Sequence, residues 1–215
     1  TEGEAYFEFT GYGDFSPDPK FLENAKKDYY RRNANSWTKD KELEFKKQFE
    51  TNEFDINRVV RSIHETLAFQ EAPLYLPEVV ATFTDISIKP VEDELEGKAI
   101  RTFEKEGKMV IEYPMDVKMR PYVRYGIAKA MGKHFLGKEG VLSSFEVNEH
   151  SNYMNEVQTN LFAAKLLTPA YLIRKELASL DAGKDIVAQL ADVFWMSKTF
   201  MNGRLKEILE KNSEI

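Results

Sequence analysis

The chain has 215 residues, 30 basic and 36 acidic for a formal net charge of −6, with 42% hydrophobic residues, three histidines and no cysteine. That length is ample for a full hydrophobic core, whereas the acidic balance disfavours generic binding to nucleic-acid phosphates. The missing thiols exclude disulfides, thiolate metal sites and cysteine nucleophiles, and leave only His64, His134 and His150 for imidazole chemistry. No apolar run approaches the ~20 residues of a membrane span and no signal peptide is read, which predicts a cytoplasmic protein without a membrane partner.

In chain order, residues 1–15 (TEGEAYFEFTGYGDF) read as an irregular arm with a short strand around Tyr6 to Phe9. Helices are predicted from Lys20 to Arg32 and from Lys39 to Phe49, the second capped by Thr38. From Lys20 to Lys47 nine basic residues face five acids, a pattern that fits a solvated face or a docking surface. Asp55 is read as the cap of a further helix whose Ile56, Val59, Val60, Ile63 and Leu67 share one apolar face, with His64 packed beside it. Pro77 opens a short helix through Phe83, and a strand follows at Ile86–Lys89. Alternating residues then predict a hairpin, Ala99–Phe103 and Met109–Tyr113, around Lys105-Glu106-Gly107. Beyond Val117 the chain reads as helical: Arg120–Leu136, His150–Leu167, Ala170–Leu180, Gly183–Phe194 and Ser197–Asn212, with a loop from Gly137 to Glu149. The sum is an α+β fold with a small antiparallel or mixed sheet and a C-terminal helical bundle.

Phosphate-binding loops, a GxSxG elbow and HExxH are all absent. On the Arg120–Leu136 helix, Met119, Val123, Ile127, Met131 and Phe135 recur at every fourth position as a core stripe, while Lys129 and Lys133 share another face. Glu156 is placed near the start of its helix, where the dipole favours a carboxylate.

From Leu76 to about Leu209 the succession LPEVVATF, strand, GKAIRTFEKEGKMVIEYP, RYGIAKAMGKHFL, EVQTNLFAAKLLTP and DIVAQLADVFWMSKTFMNGRLKEI resembles the ImmA/IrrE family of bacterial and phage zinc metallopeptidases. The resemblance implies a minimal zincin-like core around a former active-site helix. It divides the chain into an N-terminal arm with basic helices (1–52) and the zincin-like domain (53–215). In that family two histidines four apart and a later glutamate hold zinc, and a glutamate between the histidines acts as base. Matched residue by residue, the histidines fall on Lys129 and Lys133 and the base on Ala130. Gly132, Glu156, Asn160, Phe162, Ala163, Leu166, Leu167 and Pro169 keep the pattern, and Thr159 stands where alanine is common.

A protonated lysine has no lone pair for a metal, and alanine cannot take a proton from water. His134 points about 100° away from Lys133 around the helix. The expectation is therefore a catalytically inactive metallopeptidase-like protein with no metal and no cofactor, in which Lys129 or Lys133 pairs with Glu156 where zinc would sit. By resemblance it acts through protein binding in phage or mobile-element regulation, with a repressor-type transcription factor as partner. The partner would dock along the hairpin edge formed by Met109, Ile111 and Tyr113. Two other readings stay open. One is an active peptidase with a rearranged site built from His134, His150, Glu156 and Glu146 or Glu149. The other is a DNA-binding regulator using the helix-turn-helix-like stretch Gln189–Ile208, whose Lys198, Asn202, Arg204 and Lys206 would face DNA.

Overall fold

The computed structural model describes residues 39–92, 95, 98–115, 119–142 and 151–212. The arm, the Lys20–Arg32 helix, the Thr38 cap, Glu146, Glu149 and His150 lie outside the described residues.

The first described helix, α1 (Lys39–Thr66), is continuous where two helices were predicted. It runs through 52–53, where the sequence reading divides the chain. Asp55 is thus not a cap but an interior residue, partnered by Arg58 one turn on at 3.6 Å. An aspartate that finds a neighbour at i+3 costs a helix little. The expected stripe is real: Ile56, Val59, Val60 and Ile63 are buried. Helix α2 (Leu76–Thr82) carries Pro77 in its first turn, where a missing N–H costs no hydrogen bond.

Three strands follow: β1 (Ile86–Val91), β2 (Arg101–Lys105) and β3 (Lys108–Pro114), in the order β1-β3-β2. The pair β2–β3 is a hairpin whose two-residue turn, Glu106-Gly107, has positive φ at both positions, 55° and 72°. That turn matches the twist of the flanking strands and favours glycine at its second position. Strand β1 pairs parallel to β3, with Ile86 opposite Met109, and tolerates Pro90 because it lies at an edge.

This order corrects one expectation. Met109, Ile111 and Tyr113 lie on the central strand, whose backbone is engaged on both sides, and Ile111 is fully buried. The hairpin's free edge is β2, every residue of which is exposed.

Helix α3 (Pro121–Lys138) packs against α4 (Ser151–Leu167), and also touches β3 and α1. Rather than one core stripe, α3 buries Val123, Arg124, Tyr125, Ile127, Ala128, Ala130, Met131, Gly132, Phe135 and Leu136. It lies against the sheet on one side and helices on the others. Gly132 sets the approach to α4: a Cβ built there would stand 2.7 Å from Phe162 Cδ1, 3.1 Å from its Cγ and 3.3 Å from its Cβ.

The chain closes with α5 (Ala170–Leu177), α6 (Ile186–Phe194) and α7 (Lys198–Asn212). Asp185 caps α6 by accepting from the Ala188 N–H at 3.0 Å, and Ser197 Oγ accepts from the Phe200 N–H at 3.1 Å to cap α7. The fold is α+β with a mixed sheet and C-terminal helices, as expected. No helix among the described residues is long and apolar enough to cross a membrane.

Candidate functional site

Lys129 lies in the middle of α3 and Glu156 in the second turn of α4, which begins at Ser151. The carboxylate is therefore beyond the reach of a helix-dipole effect confined to the first turn, correcting the reading of Glu156 as a helix-start acid. Its partner is Lys129, whose ammonium is in direct ion-pair contact with Oε2 across the two helices. Both side chains are partly shielded, with 24% and 38% of their area exposed. Lys133, one turn on, is exposed, and Ala130 is buried between the helices.

One turn before Lys129 on α3 and one turn after Glu156 on α4 stand Tyr125 and Asn160. The Tyr125 hydroxyl donates to the Asn160 carbonyl at 3.0 Å and lies 3.1 Å from its Oδ1, while Asn160 Nδ2 donates to the Glu156 carbonyl at 2.8 Å. Burial holds the Tyr125 phenol well above its ordinary pKa, so it stays a neutral donor. The two Tyr125 bonds tie α3 to α4 one helical turn from Lys129 and Glu156. Nothing in the local pattern at position 125 announces that role, because a buried tyrosine and a buried phenylalanine read alike.

The zinc ligand set of the resembling family does not fit these residues. The positions that the resemblance matches to histidines are Lys129 and Lys133, and among the described residues no three His, Asp or Glu side chains gather around one point. His134 is turned elsewhere: its Nε2 lies 2.9 Å from Asp85 Oδ2, which also accepts from Lys138 Nζ at 2.8 Å. Lys138 first, and His134 second, hold the Asp85 carboxyl at about 2, against an ordinary 3.8. A depressed carboxylate stabilises the fold above its unfolded pKa and loses that contribution as pH falls through the folded value. The urea midpoint of wild type should thus exceed that of Asp85→Asn by a constant margin above about pH 5, and the margin should shrink between pH 4 and 2. Because Asp85 is about one third exposed, the margin is small, under about 1 kcal/mol. A margin unchanged down to pH 2 would contradict the assignment.

Arg124 is a cation that sequence reading left unremarked. It is only 2% exposed, donates from Nη2 to the Leu74 carbonyl, and lies 5.7 Å from the centroid of Trp195. Burial pulls its pKa down to about 10. Trp195 takes a left-handed conformation (φ 55°) where α6 ends, which carries its ring over Arg124.

The stretch Gln189–Ile208 does form two helices with a turn at Trp195–Ser197. Of its polar residues, Arg204 is buried, donating from Nε and Nη2 to Thr168 and pairing through Nη1 with Glu207. Lys198 pairs with Asp185 at 2.6 Å. Phe200, Met201 and Ile208 are in the core. Two of the four cation and amide groups that would face DNA are thus engaged within the protein.

No protein-family model matches the chain, and no curated protein matches it in sequence.

Proposed function

We propose that this chain is an inactive relative of the ImmA/IrrE zincins in which a lysine has replaced the metal, and that it works by holding a protein partner rather than cutting one. The observation that carries the reading is the Lys129–Glu156 contact. It puts an ammonium beside the one carboxylate that the resemblance keeps, which supports a lysine standing in for the metal. A cation supplied by the chain neutralises Glu156 without a metal, and Ala130 offers no base to activate water. Partner recognition would use strand addition at β2, the exposed edge of the sheet, in place of the engaged β3. Phe103, 40% exposed on that edge, offers an apolar anchor. A repressor-type transcription factor is the partner class that the resemblance suggests.

The test is zinc quantification on purified protein equilibrated with zinc and desalted. The reading expects no stoichiometric metal and no change in the thermal midpoint on adding zinc. One zinc per chain, lost in Glu156→Ala, would overturn it in favour of a rearranged metal centre.

A further inference from the structure

On the far half of α4 from Glu156 the structure has an open, surface-facing cavity of about 700 Å³. It lies among the last turns of α1, the loop that follows, the end of α4 and the start of α5, and its size is that of a small-molecule site. Its rim is preformed. Helix α1 stops where Ala68 adopts φ 50°, and the Phe69 N–H closes the helix end on the His64 carbonyl at 2.9 Å. Tyr171 donates to the Phe69 carbonyl at 2.7 Å and Lys175 to that of Gln70 at 3.0 Å, so α5 pins the loop from the other side. A left-handed alanine persists only where its surroundings hold it there.

The lining divides into two parts. His64, Phe69 and Tyr171 form an aromatic wall, with ring centroids 5.1 Å apart for His64–Phe69 and 6.2 Å for His64–Tyr171. The Leu166 carbonyl, 2.9 Å from His64 Nε2, can only accept, so that nitrogen carries the proton. Burial lowers the pKa of His64, which keeps the ring neutral and part of the apolar wall. The charged part holds Arg61, Lys165 and Arg204 against a single acid, Glu65. Lys165 is ion-paired to Glu53 at 3.3 Å, and Arg204 is spent on Thr168 and Glu207. Arg61 is exposed at the mouth and makes no hydrogen bond or ion pair among the described residues, although Glu65 lies one turn along the same helix. A guanidinium with no partner among the described residues, beside aromatic rings inclined to one another by 46° and 74°, matches a planar or tetrahedral oxyanion on an apolar body.

We propose that this cavity binds a small organic anion, its carboxylate or phosphate on Arg61 and its flat apolar body against His64, Phe69 and Tyr171. The site is separate from the Lys129–Glu156 contact and does not depend on how that contact is read.

The experiment titrates the full chain with phenyl phosphate and benzoate, followed by ligand-observed NMR, with benzyl alcohol and inorganic phosphate as controls. A ligand this small is expected to saturate at or below about 1 mM for at least one of the two aromatic anions. Arg61→Glu, on an exposed side chain, should weaken that binding about tenfold, and Arg61→Gln by less, while Lys133→Glu on the other half of the molecule leaves it unchanged. Should Arg61→Glu disturb the fold, Arg61→Gln carries the comparison. The proposal is overturned if neither anion saturates, if both Arg61 variants bind as wild type does, or if benzyl alcohol or inorganic phosphate binds as tightly as the aromatic anions.

Discussion

Replacing Lys129 and Lys133 by histidine should give a variant that takes up one zinc per molecule. The two positions are four apart on α3, so both imidazoles would rise from one face. Glu156 already stands where Lys129 can touch it. An imidazole reaches less far than a lysine, and the gap it opens is roughly that of one metal–ligand bond, about 2 Å. Three protein ligands and a water then complete a tetrahedral zinc site. Affinity in the double variant should rise into the submicromolar range at pH 7, and should fall below about pH 6 as the imidazoles protonate. Adding Glu156→Ala should cost at least about tenfold. The catalytic glutamate is better left out of the first variant. Ala130 is 8% exposed, and a carboxylate placed there without a partner would cost more in its charged form than the roughly 2–7 kcal/mol of a buried unpaired amide or hydroxyl, or would stay protonated. Ala130→Glu belongs in a third step, once bound metal can compensate the charge. If the Lys129→His, Lys133→His variant folds but takes up no zinc at millimolar concentration, the two helices do not present a zincin geometry. The resemblance on which the proposed function rests then fails.

What could be read from the sequence depended on how local its cause was. The hairpin was legible because the Glu106-Gly107 turn and the alternation on either side lie within fifteen residues. The start of the last helix at Ser197 was legible for the same reason, whereas the cap at Asp185 was not, the helix there being predicted from Gly183. The place of β3 was not, since nothing between Lys108 and Pro114 encodes that β1, some twenty residues earlier, will lie parallel to it and engage its second edge. Asp55 misled because aspartate caps helices often and continues them rarely, and Arg58, its partner, is visible only once the helix is built. At the site, the pairing of a lysine with Glu156 followed from the resemblance, which brings positions 129, 133 and 156 together, and from their opposite charges. The choice of Lys129 over Lys133 did not, because it is set by where α4 crosses α3. The burial of Arg124 was hidden for a related reason: the carbonyl it bonds, at Leu74, and the ring that covers it, at Trp195, lie 50 and 71 residues away in the chain.

That crossing can be tested through the contact that fixes it, Phe162 on Gly132. Phe162 is fully buried and stacks on Phe135 with centroids 6.1 Å apart, so Phe162→Ala should destabilise the protein by about 3–5 kcal/mol in urea unfolding. Gly132→Ala sets two effects against each other. Alanine is worth up to about 1 kcal/mol over glycine inside a helix, while forcing an added methyl into a packed core costs about 1–3 kcal/mol. The second should win, because the new Cβ meets not only the ring edge of Phe162 but its Cγ and Cβ, which cannot swing aside without the backbone of α4. Gly126→Ala on the same helix is the control. Its nearest contact, Ile100 Cγ2 at 3.4 Å, is an ordinary one, so there the helix preference should prevail and the variant be as stable as wild type or more so. In a Phe162→Ala background the sign at position 132 should reverse, with a coupling above about 1 kcal/mol between the two sites. A Gly132→Ala protein as stable as wild type would show that α4 can retreat freely. The Lys129–Glu156 contact, which depends on that approach, would then lose its structural cause.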